Sequence, residues 1–168
     1  MGDVKINLGP FFEDLNVGDV IRHAMGRSVT ETDNVWFTLL TSNQSQLHVN
    51  THYMEKTQFK KPLVISTFTL AVVTGLTVAD LSINAVANLG WDEVRLPNPV
   101  FAGDTLYAES EILSKRESKT RPYAGIVTVK TRGLNQHGKT VIEFKRTFMI
   151  YKRDHSPMRD VFPAPAPS

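Results

Sequence analysis

Residues 39–59 read LLTSNQSQLHVNTHYMEKTQF: an apolar run stops, short polar residues follow, and His48 sits among them before a helical pattern resumes. Turn formers explain the break but do not require an imidazole. His48 is the group in this turn whose unperturbed pKa lies near neutrality, which makes it the candidate general acid and base. On residue type alone, a single histidine in a polar turn is more often solvated or a local hydrogen-bond partner. His52 follows at helical spacing, which would suit a metal pair, but Asn50 starts a new helix between the two and no further ligand converges. No metal site is expected. The chain has no cysteine, which removes thiolate nucleophiles, disulfides and cysteine-ligated zinc, and fits a reducing compartment.

The elements that must position His48 begin upstream. Glycines and acids make GPFFEDLNVGD a loop anchored by Phe11 and Phe12, and residues 20–30 alternate as a half-buried strand. Thr30 or Thr32 can cap a helix in which Val35, Trp36, Leu39 and Leu40 form an apolar stripe at helical spacing. Asn43 suits the end of that helix, because asparagine tolerates the left-handed conformation. Asn50 is the expected N-cap of a short helix reading THYMEKTQ, and Pro62 breaks the chain after Lys60 and Lys61. Ser66 or Thr67 then caps a run to Leu81 with almost no polar side, so this helix is expected to be buried nearly all round. Strands are expected over 85–96, 105–118, 123–135 and 139–153, with the hairpin signal NQHG between the last two. Early helices and late strands predict an α+β fold with an antiparallel sheet, a long central helix being wrapped by it. His23, His137 and His155 fall in strand, hairpin and tail contexts and are expected to be solvated.

At 168 residues, 41% hydrophobic and 21% charged, the chain suits one core: a single domain over 1–153, with a Pro- and Ala-rich tail over 154–168 that is disordered or lies along the surface. A net charge of +2 creates no field that demands nucleic acid, and leaves room for an anionic small ligand. The first fifteen residues carry three acids and no apolar core of signal-peptide length, and residues 66–81 are interrupted and too short to span a bilayer comfortably. The expectation is a cytoplasmic protein with neither nucleic acid nor membrane as a partner.

The stretch from Ser42 to Asn50 resembles the hallmark of the MaoC-like dehydratases, which include (R)-specific enoyl-CoA hydratases: Gly-Asp-x-Asn-Pro-hydrophobic-His-x-Asp, preceded by a helix ending in Leu-Thr. Phe59, the loop from Lys60 to Val64, and Ser66 where the family usually has glycine continue the likeness. So do NLGWDEVR (88–95) and PVFAGDTL (99–106), and the resemblance covers roughly residues 10–152. The combination looks most like the branch that handles mesaconyl-CoA and β-methylmalyl-CoA. It departs from the wider family at Asn43, where the catalytic aspartate is expected, and at Asn50, the later acidic position.

The resemblance implies a hot-dog fold and reversible hydration of a 2-enoyl-CoA, a reaction needing a base for water, a proton for the α-carbon and donors for an enolate oxygen. His48 would transfer protons and Asn43 would hold the water. Backbone N–H groups at Ser66 and Thr67 would meet the thioester oxygen, with the helix dipole behind them. Lys60, Lys61 and Arg95 are candidates for CoA phosphates or, for Arg95, the acyl carboxylate. No cofactor is implied beyond the CoA of the substrate, and a homodimer is. The shared fold also admits an acyl-CoA thioesterase, and Asn43 argues for a non-catalytic acyl-CoA-binding protein.

Overall fold

The computed structural model describes residues 8–159, together with residues 161 and 163. Alternation along the late strands is the pattern that builds the sheet: in Ala124–Asn135, Val127, Val129 and Thr131 are buried while Lys130 and Arg132 are exposed. Among the described residues six strands pair antiparallel: β1 (Val20–Arg22), β2 (Arg27–Ser28), β3 (Ala85–Arg95), β4 (Thr105–Glu117), β5 (Ala124–Asn135) and β6 (Thr140–Tyr151). Their order is β1-β4-β5-β6-β3, with β2 also on β4. The strand expected over 20–30 is thus two short pieces on one neighbour, parted around Gly26, whose missing side chain makes room for the Tyr107 ring.

Among the described residues four α-helices precede or cross this sheet: α1 (Glu31–Thr41), α2 (Gln46–Val49), α3 (Thr51–Glu55) and α4 (Ser66–Leu76). Thr30 and Asp33 form a reciprocal capping box at the start of α1, a device worth about 1 kcal/mol. Asn50 Oδ1 accepts the Tyr53 N–H at the start of α3. Val73 of α4 packs where Gly133 of β5 has no side chain; a Cβ there would lie 2.7 Å from Val73 and from Ile142. One core cluster surrounds Val73, Leu106, Val141 and Phe144, and a second joins Phe12, Leu81, Ile112 and Phe148.

Four expectations change. First, α4 ends at Leu76 and gives way to a π-helical turn over Val78–Ser82, and Ala71, Gly75 and Val78 are exposed. The helix is covered by the sheet on one side and open on the other. Second, neither Ser66 nor Thr67 caps α4: Ile65 is the N-cap and no side chain caps the helix. Third, α1 turns Asn34 and Thr38 inward, with Phe37 edge-on to Phe68 at 5.3 Å, while Val35, Trp36, Leu39 and Leu40 face outward, Leu40 being 76% exposed. Asn34, Phe37 and Thr38 share a face at helical spacing, and the buried amide finds three backbone partners there.

Fourth, His23 is buried rather than solvated, with its ring between Ser110 Oγ (3.0 Å) and Asp80 Oδ2 (3.4 Å). Burial pushes its pKa below the ordinary value against the pull of the Asp80 carboxylate. After β6 the chain turns through Arg153–His155 and Pro157–Arg159, and buried Ser156 donates to Asn84 Oδ1 at 3.1 Å. Within the stretch expected to form a tail, residues 160, 162 and 164–168 lie outside the described residues.

Candidate active site

The polar turn at 42–50 is more ordered than a loop. Ser42 takes the left-handed conformation at the end of α1 (φ 54°), the Asn43 N–H reaches back to Thr38 O at 3.1 Å, and Asn43 Oδ1 accepts the Ser45 N–H at 3.2 Å. Ser45 then caps α2, a single turn that carries His48. The sequence marks the break and the turn formers, but not that they wind into a helical turn.

His48 Nδ1 lies 2.9 Å from the carbonyl oxygen of Leu63. A carbonyl only accepts, so Nδ1 carries the proton and Nε2 of the neutral ring keeps its lone pair for proton transfer. Asn34 secures the arrangement. Its Nδ2 donates to the carbonyls of His48 (3.0 Å) and Leu63 (3.1 Å), and its Oδ1 accepts the Ile65 N–H at 3.0 Å. One amide, 5% exposed, therefore fixes the backbone of the histidine, the acceptor of its ring N–H and the entry to α4. Sequence reasoning missed it because an asparagine in a first helical turn reads as surface; the available signal was its shared face with Phe37 and Thr38.

His48 lines two cavities. One, of ≈ 540 Å³, is shared with Ser66, Thr69, Phe59 and the segment Leu96–Val100. The other, of ≈ 230 Å³, is shared with Asn34, Glu31, Lys61 and Thr51. The uncapped start of α4 thus meets the histidine in the larger cavity, where N–H groups with no intrahelical partner favour a negative oxygen. Lys61 reaches the smaller cavity, its Nζ 4.3 Å from the Phe101 ring centroid.

The other expected site residues lie apart from this pairing. Lys60, at φ 63°, turns back so that its Nζ donates to Glu55 O at 3.0 Å, closing the end of α3. Arg95 ends β3 in a separate charged depression with Glu93, Lys130 and Glu143. Thr67 is exposed beside Ser66 and lines neither His48 cavity. Asn43 also lines neither, and its Oδ1 is occupied by the turn, which leaves Nδ2 as its free group.

A sheet laid along a central helix, with a histidine that shares a cavity with the start of that helix, defines a MaoC-like protein of the hot-dog fold. The chain superposes with TM-score 0.84 on a MaoC domain dehydratase structure from Chloroflexus aurantiacus at 35% identity, covering 98% of this chain and 45% of that one. A Mycobacterium tuberculosis protein described as having a double hotdog fold shares the fold with TM-score 0.78 at 23% identity, covering 95% of this chain and 53% of that one. The family model for mesaconyl-CoA hydratase matches residues 4–159, and the chain belongs to that family. It is 38% identical over 165 residues to the mesaconyl-CoA hydratase of Cereibacter sphaeroides, covering 98% of this chain and 46% of that protein. It is 36% identical over 163 residues to the β-methylmalyl-CoA dehydratase of Chloroflexus aurantiacus, covering 97% of this chain and 44% of that protein. The chain therefore spans about half the length of the curated relatives it matches.

Proposed function

We propose that this chain is an acyl-CoA hydro-lyase that reversibly adds water to a short dicarboxylic 2-enoyl-CoA, with mesaconyl-CoA as substrate and β-methylmalyl-CoA as product. The observation that carries the reading is the His48 tautomer: the Leu63 carbonyl holds Nδ1–H, so the free base Nε2 belongs to a residue sharing a cavity with the uncapped start of α4. In the hydration direction Nε2 takes a proton from water as its oxygen bonds to the β-carbon. The double-bond electrons move toward the thioester oxygen, which the unpaired N–H groups at the start of α4, beside Ser66, stabilise. The imidazolium then returns a proton to the α-carbon, so one water is added and the histidine is regenerated. Lys61, which lines the smaller His48 cavity, meets a CoA phosphate, whereas Asn43, outside both cavities, serves by fixing the turn that carries His48. No cofactor enters the reaction, since the CoA belongs to the substrate.

The working unit pairs two hot-dog domains, here as a homodimer. In support, the outer edge of β3 is unpaired among the described residues, and Leu89 and Val94 are exposed along it. Sedimentation of the purified chain at micromolar concentration is expected to give a dimer; a monomer would overturn the pairing. The absence of cysteine fits a cytoplasmic setting, and no helix among the described residues is long and apolar enough to cross a membrane.

Thioester hydrolysis is the second reading, favoured by Glu31, a carboxylate lining the smaller His48 cavity. A single assay separates the two with crotonyl-CoA, mesaconyl-CoA and a longer enoyl-CoA. Loss of enoyl-thioester absorbance without free thiol supports hydration, and thiol release supports hydrolysis.

A further inference from the structure

Arg146 lies on the inward face of β6 and is 4% exposed. Its Nε and Nη2 have no hydrogen-bond partner among the described residues, and neither does Thr74 Oγ1 on α4. Both residues line one cavity of ≈ 290 Å³, with Ser82, Asn88 and Trp91 also in its wall. The Phe148 ring lies 4.8 Å from the guanidinium carbon and offers it a π face rather than an anion. Burial lowers the Arg146 pKa to about 10, so the group is still charged at neutral pH. Asp80, the acid on the adjoining π-helical turn, pairs with His23 instead. A buried guanidinium without a counter-anion is strongly unfavourable, and its Nε–Nη2 edge has the spacing of a carboxylate's two oxygens.

The geometry points to a carboxylate site: Arg146 Nε and Nη2 with Thr74 Oγ1 bind the carboxylate group of a short dicarboxylic acid, supplied by the acyl group of the substrate or by the free acid. For the acyl source this rests on the hydro-lyase reading above and adds the group that recognises the distal carboxylate, a role for which Arg95 lies in a different depression. The two sites share one helix. Ser66 lines the His48 cavity and Thr74 lies eight residues further along α4, a rise of about 12 Å.

The test uses the full chain and the variants Arg146→Lys, Arg146→Met and Thr74→Val, with two readouts. The first is the ratio of kcat/KM for mesaconyl-CoA to that for crotonyl-CoA; the second is the melting-temperature shift caused by free mesaconate against chloride at equal ionic strength. If the acyl group is the source, the ratio falls at least about tenfold in Arg146→Lys, which keeps charge but loses the fork, and falls less in Thr74→Val. If the free acid is the source, mesaconate raises the melting temperature of the wild type and not of Arg146→Lys. Arg146→Met removes a buried unpaired charge, so it is expected to melt no lower than the wild type while losing the same response. Thr74→Val keeps side-chain shape and reads the site should both arginine variants fail to fold. A ratio within about twofold of wild type, with no mesaconate shift that the variants abolish, overturns the site. Hydration with that outcome leaves the hydro-lyase reading standing. A mesaconate shift that depends on Arg146, without hydration of any enoyl-CoA, removes that reading and retains the site.

Discussion

The Leu63 carbonyl accepts from Nδ1 of His48 and leaves Nε2 with the lone pair, so the proposed proton transfer rests on tautomer as much as on position. His48→Ala is expected to lower kcat by at least about a hundredfold while KM changes little, as measured by steady-state hydration of mesaconyl-CoA. In the proposed reaction Asn34 is a positioning residue, through its bonds to the carbonyls of His48 and Leu63. Asn34→Asp keeps the shape but replaces the donor that two carbonyls share, so a stability loss of about 1–3 kcal/mol is expected in urea unfolding. Its kcat should fall more than its KM rises, whereas Thr38→Ala on the same helix face should leave that split unmoved. His48 stood out in the sequence because imidazole is out of place among turn formers. Asn34 did not, because only packing makes an amide in a first helical turn an interior group.

At the level of elements, strand positions followed the sequence closely because alternation survives in the sheet: β4, β5 and β6 lie within two residues of the ranges read from periodicity. The helices were less legible. Periodicity reports that one face is apolar but not whether the same chain covers it, and for α1 the apolar stripe faces outward while Asn34, Phe37 and Thr38 face in. For α4, the uniform apolarity of 66–81 concealed both the change to a π-helical turn and the open face. The seat of α4 on β5 is the Gly133 gap. Gly133→Ala is expected to cost about 1–3 kcal/mol, read as a lower urea midpoint at unchanged slope, because its Cβ would enter the space of Val73 and Ile142.

Across the whole molecule, buried charge sets the response to pH. His23 faces Asp80, Ser110 and the positive Arg146, and burial holds its folded pKa below the ordinary histidine value of 6.5. Below 6.5 the unfolded chain binds more protons than the native state, so stability is full above that pH and is lost as pH falls toward the folded pKa. Melting temperature is expected to drop between pH 7 and pH 5 in the wild type and to drop less in His23→Gln, measured by calorimetry at fixed ionic strength. The outward stripe of α1 was not legible as surface, since apolar residues at helical spacing read as core in the chain alone.

The most direct measurement is the absorbance of the conjugated enoyl thioester when the purified chain meets mesaconyl-CoA, with wild type and His48→Ala compared and free thiol monitored alongside. The expected result is loss of absorbance with the wild type, none above background with His48→Ala, and no thiol released by either. A wild-type rate no faster than that of His48→Ala would contradict proton transfer by His48.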